Sequence, residues 1–467
     1  MIDGKKVVFY ELNEVPRKVL VDYTQANPRS ALAQIYRHSD FYETVTADKG
    51  HLSPWITWPT LHRGVTNEKH LIQNFGQDLA EVNQEYPAYT ELLSRHGVKV
   101  GVFGSLHTYP LPADVSRYAF YVPDTFANGS ECFPDDLTCF QDFNLKMVDS
   151  SGRNVSKGLN IKAALPFVAK APQLGVGADT VYRLAKQIIS EKIVPSRIVR
   201  RRTSQMQLAF DLFMKQLHQH KPDLSTFFTN HVASSMHRYW PAKYPNDFQD
   251  LELTPEWHTS YQGEIDFTMA EADRQLSKIL AFVNQNKDYT LLVASSMGQA
   301  AVDRSMAVKT QLLIDDLSQF MTAIGVSREL WQPRRAMVPM YMVSIDDSVA
   351  EIARLNLSQL AINHTPVEFI DLGNNIFQIF FQVENPDVAN LIVTLNGETK
   401  SLKELGMGIT AIEDESGSYA YHIPEGILLV FDPERQVAKD CGTISTTQIA
   451  PAMLNNFQIA PPAYMVA

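Results

Sequence analysis

Two hydrophobic periods alternate along this chain. Four short runs are apolar without helical spacing and rich in β-branched or aromatic residues: KKVVFYEL (5–12), VKVGVFGS (98–105), LSTFFTNHV (224–232) and YTLLVASS (289–296). Such runs predict strands buried on both faces, as in a parallel sheet covered by helices. Between them the spacing changes to three and four. DLAEVNQEYPAYTELLSRHG (78–97) predicts a helix ending at Gly97, residues 180–220 predict further helix, and 262–285 predict a long amphipathic one. Strand, helix and strand in this order imply an α/β fold.

Two stretches depart from that rhythm. From about 106 to 180 the pattern loosens into Pro and Asn-Gly punctuation, and 365–432 alternates around Asn-Asn, Asn-Gly and Gly turns, which predicts short strands and hairpins. A short capped helix is expected in TTQIAPAMLNNFQI near the end. The expected division is a core α/β domain over 1–110 and 226–335, a largely helical insertion over 111–225, a small β-rich subdomain over 336–432, and a C-terminal return to the core over 433–467. The architecture expected is a three-layer α/β/α sandwich with a mostly parallel sheet.

Composition changes this picture little. With 467 residues, 45% hydrophobic and 20% charged, the chain is long enough to bury a core without staples. Its net charge of −11 argues against a nucleic-acid surface. The one basic run, Arg200-Arg201-Arg202 with Arg197 nearby, suits a solvated helix face better than a phosphate site. Three cysteines, Cys132, Cys139 and Cys441, make no disulfide framework and fit a reducing compartment. No apolar run reaches 18 residues and no secretory signal precedes the first strand, so no membrane span is expected and the expected location is cytoplasmic.

In open α/β sheets ligands bind beyond the carboxyl ends of the strands. The residues found there are Glu11, Asn13 and Glu14 after the first strand, TNHVASSMHRYW (229–240) after the third, and SSMG (295–298) after the fourth. SPWITWPTLHRG (53–64) and YHIPEG (421–426) add Thr57, Thr60, His62 and His422. Trp55 and Trp58, flanking Thr57, suggest a platform on which a ring or sugar could stack. Each residue also has a plain structural role available: Asn13 as a turn or cap, a histidine bonded to backbone, Met297 as packing.

The order of these segments resembles the alkaline phosphatase superfamily, in particular its type I phosphodiesterase/nucleotide pyrophosphatase branch. The first strand runs into Asn13 where the family has Asp. Thr57 resembles the family's nucleophile, and RGVTNEKHLI (63–72) keeps Gly64 and His70 of its following turn. ASSMH (233–237) keeps His237 of an Asp-x-x-x-His motif, with Ala233 at the Asp. SSMG puts Ser296 and Met297 where the family has Asp-His, and HIPEGIL (422–428) keeps His422. IAPAMLNNFQIAPP resembles the family's closing segment, so the likeness runs from residue 5 to about 465.

The resemblance implies a two-zinc phosphoesterase, but the substitutions alter its chemistry. One ligand set maps to Asn13, Thr57, Ser296 and Met297, which offer no anionic anchor for a dication. The other retains His237 and His422 and needs a third ligand, for which His231 and Glu11 are candidates. The expected cofactor is at most one zinc-like divalent cation. Thr57 is the candidate nucleophile, His237, His422 and Glu11 are candidates for metal binding or general-base work, and Asn13, Trp55, Trp58, His62, Ser296 and Arg304 are candidates for substrate contact. The expected function is action on, or binding of, a phosphate-type ester, with a small-molecule, glycan or nucleotide-type ligand. Two alternatives accompany it: a pseudoenzyme that binds through the old pocket, and a metal-free transferase or hydrolase on a glycan-like substrate.

Overall fold

The computed structural model describes residues 4–74, 76–149, 161–303, 307–336, 340–381, 383–412, 414, 416–435 and 438–465. The chain forms two compact units. One comprises residues up to 144, 161–305 and 418–467, and the other is built mainly from 306–417.

The larger unit is organised by an eight-stranded sheet. Its strands are Lys6–Leu12 (β1), Ser39–Val45 (β2), Val100–Phe103 (β3), Phe120–Val122 (β4), Leu224–Thr229 (β5) and Tyr289–Ala294 (β6). A two-stranded ribbon of Gly298–Ala301 (β7) and Ala420–Ile423 (β8) follows, and Glu425–Phe431 (β9) and Lys439–Ser445 (β10) complete the large sheet. Strand order is β10-β2-β9-β6-β1-β5-β3-β4. All of these run parallel except β9, which is antiparallel to both β2 and β6. This is a mixed α/β fold with a large, mostly parallel central sheet.

Helices cover both faces. Pro54–Arg63 (α1) and Ile449–Asn456 pack Trp58, Leu61, Met453 and Leu454 with Val7 and Phe9 of β1 on one side. On the other, Ser204–His220 (α2) brings Phe210 and Phe213 against Phe227 of β5, with ring centroids 5.3 and 4.9 Å away. Two further helices, His231–Lys243 (α3) and Glu264–Gln285 (α4), pack against each other, and α4 also packs on β6. Tyr10 of β1 donates to Gln275 of α4 at 2.6 Å, which gives its buried hydroxyl a partner.

The four runs expected as buried strands all form them. The third is shorter than its apolar run, because the chain turns at Asn230 and continues as α3. Residues 78–97 hold two short helices, Ala80–Glu85 and Tyr89–Arg95, rather than one; Pro87 between them cannot continue a helix. Pro195 likewise ends the helix Ala178–Ile193 before a 3-10 turn and α2. The arginine run in that turn is spent internally. Arg200 grips Glu264 with both ends of its guanidinium, Arg201 grips Glu191, and Arg202 donates to the Tyr239 hydroxyl. The three cysteines are free thiols.

The smaller unit has two antiparallel four-stranded sheets, one of Trp331–Arg334, Met340–Ile345, Glu368–Asp371 and Ile376–Phe380, the other of Leu360–Ile362, Thr365–Pro366, Val393–Leu395 and Glu398–Lys400. Leu312, Phe320, Val343, Leu357, Phe377 and Leu395 centre its own apolar core. No helix among the described residues is long and apolar enough to cross a membrane.

Candidate metal centre

The carboxyl ends of β1, β5 and β6 meet at one edge of the large sheet. Beyond β1 the chain places Asn13 and then Glu14, whose φ of 60° breaks the strand direction. Beyond β5, Asn230 and the first turns of α3 put His237 two turns along the helix. Beyond β6, Ser295 ties three segments together: its hydroxyl donates to Val15 O at 2.8 Å and accepts from Ile427 N at 2.9 Å, while its carbonyl accepts from Thr44. The β7–β8 ribbon then sets His422 directly opposite Gln299.

Three of these side chains converge. The Nε2 atoms of His237 and His422 lie 3.0 and 3.3 Å from Glu14 Oε2, and all three possible ligand atoms fall within 4.8 Å of one another. Each imidazole is fixed by its other nitrogen: His237 Nδ1 donates to Ala420 O at 2.6 Å, and His422 Nδ1 donates to Leu52 O at 2.7 Å. With Nδ1 donating to backbone, each ring has only Nε2 left to face the carboxylate, where it carries a proton or takes a metal ion. Without metal, Nε2–H groups satisfy the carboxylate as an ion pair; a divalent cation can replace those protons with both rings neutral.

The donor set fits a divalent metal. Two imidazoles and a carboxylate with an open fourth position is a common zinc arrangement, and bonds of about 2.0–2.1 Å put tetrahedral ligand atoms roughly 3.3 Å apart. Backbone carbonyls on the far ring nitrogens are the usual support for metal-bound histidine. Glu14 is braced in turn, since Asn13 Nδ2 donates to its Oε1 at 2.8 Å and Gln299 Nε2 donates to its Oε2. Burial pushes the Glu14 carboxyl up, but the facing charges and hydrogen bonds of His422 and His237 outweigh that and hold it well below its ordinary value. Beside this group, Gln299 Oε1 is a buried acceptor without a partner among the described residues.

No protein-family model matches the chain, and no curated protein matches it. Among solved structures, murine ectonucleotide pyrophosphatase/phosphodiesterase 5 aligns over 98% of this chain and 96% of its own, at 11% identity and a TM-score of 0.40. The human protein of that name aligns over the same shares at 10% identity and a TM-score of 0.39. An inactive form of the murine protein in complex with AMP aligns at 11% identity, over 98% and 96%, with a TM-score of 0.38.

The second ligand set implied by the resemblance is knitted together without a metal. Asn13 donates to Asn230 at 2.7 Å and accepts from Trp58 Nε1 at 2.7 Å, and the hydroxyls of Thr57 and Ser296 meet at 2.8 Å. Met297 and Thr57 are fully buried. A neutral amide bonded to Asn230, Trp58 and Glu14, two hydroxyls bonded to each other, and a buried thioether do not fit a dication.

Other candidates sit away from the cluster. His231 points elsewhere, with Nδ1 on Thr229 at 2.5 Å and Nε2 on Thr268 O at 3.0 Å; burial holds its pKa down at about 3. Glu11 is buried under α1, accepting from His62 at 2.7 Å and Ser105 at 2.7 Å. His70 accepts from Ile72 N at 2.9 Å and meets Thr60 at 2.9 Å. Trp58 is fully buried, which removes it as a stacking platform, while half-buried Trp55 packs edge-on to Phe126 with centroids 4.7 Å apart. Arg304 lies outside the described residues. Sequence reasoning noted Glu14 but did not place it in the site. His51 went unnoticed, and its exposed ring stands 6.4 Å from that of His422. A carboxylate one residue beyond Asn13, in a chain lacking the carboxylate at 233, was the available signal for Glu14.

Proposed function

We propose that this chain is a divergent phosphodiesterase-like protein holding a single divalent cation at Glu14, His237 and His422, and presenting it to a phosphate-type ester. One observation carries the reading: a buried carboxylate and two imidazole Nε2 atoms converge within 4.8 Å while both Nδ1 atoms are spent on backbone carbonyls. The order of motifs from β1 to the C-terminal helix supports the ester class. A cation there would act as a Lewis acid on a phosphoryl oxygen or an attacking water. Glu14 supplies the anionic ligand, Asn13 and Gln299 hold its two oxygens, and the Ala420 and Leu52 carbonyls keep the rings aimed. The test is turnover of phosphodiester, phosphomonoester, sulfate-ester and glycan substrates by chelator-stripped protein, with and without added zinc. Zinc-dependent cleavage of a phosphate ester, abolished in His237→Ala, is expected. Turnover indifferent to both chelator and His237→Ala would overturn the reading.

A second reading, ligand binding without turnover, is favoured by Thr57. Its hydroxyl is fully buried against that of Ser296, a partner that is no base. Glu11 and His62 bind each other instead. Tight calorimetric binding of a phosphate-ester analogue, with no turnover across the panel, would select this reading.

A further inference from the structure

The helix Ala178–Ile193 is amphipathic the wrong way round for a surface helix. A helix on a folded domain normally turns its apolar stripe inward and its charges outward. Here the inward face is polar. Thr180 and Glu191 are buried, Arg183 pairs with Glu271, Glu191 pairs with Arg201, and Gln187 donates to Arg197 O at 2.7 Å. The outward face carries Val181, Tyr182, Ile188, Ile189 and Ile193, which are 51–74% exposed. With Ala185 between them, these positions recur at spacings of three and four, the period of a helix-pairing seam. A contiguous apolar patch of this kind on a folded surface marks an interaction site.

We infer that this face pairs with the same helix of a second copy of the chain, antiparallel, about a two-fold axis near Ala185. The exposed charges select that occupant. Asp179 lies in the first turn of the helix and Lys192 in the last. An antiparallel pair brings the acidic end of each helix to the basic end of the other, whereas a parallel pair opposes like charges. Within each helix Asp179 and Lys192 oppose the macrodipole and offset its ends, and the macrodipoles themselves also favour antiparallel alignment. At the axis, the small side chain of Ala185 lets the backbones approach, while Val181 of one copy and Ile189 of the other each stand four residues from it. The helix is 16 residues long, about 24 Å, so the contact is smaller than an obligate interface.

Sedimentation velocity of the full chain tests this. The wild-type chain is expected to show a concentration-dependent monomer–dimer equilibrium, and Ile189→Glu is expected to be monomeric with an unchanged thermal melt. Asp179→Lys and Lys192→Asp should each weaken the dimer about tenfold, and the two together should restore it. A wild-type chain that stays monomeric at about 100 μM overturns the inference, as does a double reversal that restores nothing. Ile189-dependent cosedimentation of the monomer with phosphatidylserine vesicles would also overturn it, and would assign the face to a lipid surface.

Discussion

Asn13 and Glu14 divide two tasks that a single strand-end carboxylate could otherwise perform. Asn13 is neutral and fully bonded, and its amide links the loop after β5, the α1 helix and Glu14. Glu14 bears the charge that faces the two histidines. The structural half of this division can be tested alone. Trp58→Phe removes the donor to Asn13 Oδ1, leaving a buried acceptor unsatisfied and a small cavity where the larger ring packed. It should cost about 1–3 kcal/mol in urea unfolding; a loss below measurement would show that the link does not matter. At this scale the sequence was partly legible. His237 and His422 were marked by their spacing to neighbouring motifs, and each does reach the cluster. Glu14 was obscured because its role depends on a left-handed turn at its own backbone and on the amide of Gln299, neither of which a motif encodes.

Among elements, the runs legible as strands were those buried on both faces, where β-branched and aromatic residues leave no other reading. The strands Ser39–Val45 and Lys439–Ser445 went unread, since SDFYETV and KDCGTIS are too polar to stand out. They lie at one end of the sheet, where fewer side chains need be apolar. The SSMG turn, at the carboxyl end of β6, is tightly packed. A Cβ on Gly298 would fall 2.2 Å from Glu425 O and 3.0 Å from Pro16 Cβ. Gly298→Ala must therefore shift backbone and is expected to lower stability by about 1–3 kcal/mol, read from the denaturation midpoint. An unchanged midpoint would mean that the β7–β8 ribbon moves freely. Glycine at this position keeps Gln299 and His422 in register, which ties the turn to the cluster.

For the molecule as a whole, buried neutral histidines set the response to acid. Burial, the Arg63 charge and His107 hold the pKa of His70 down at about 3, and burial holds that of His231 down at about 3, against an ordinary 6.5. Each takes up a proton on unfolding at any pH between those values. Their contribution is whole above pH 6.5, falls on acidification by about 1.4 kcal/mol per pH unit for each group, and has nothing further to lose below about 3. Urea unfolding at pH 7 and pH 5 should therefore differ by several kcal/mol, with His231→Asn reducing the slope. A flat profile would contradict the burial of these rings.

The central claim is that one metal site survives on this scaffold, rebuilt around Glu14. Its most direct test is zinc stoichiometry and affinity of the chelator-stripped chain, by calorimetry with elemental analysis, beside Glu14→Ala and Asn13→Ala. One equivalent is predicted, lost or weakened by at least about 100-fold in Glu14→Ala and kept, with lower affinity, in Asn13→Ala. Two equivalents, none, or binding undiminished in Glu14→Ala would contradict it.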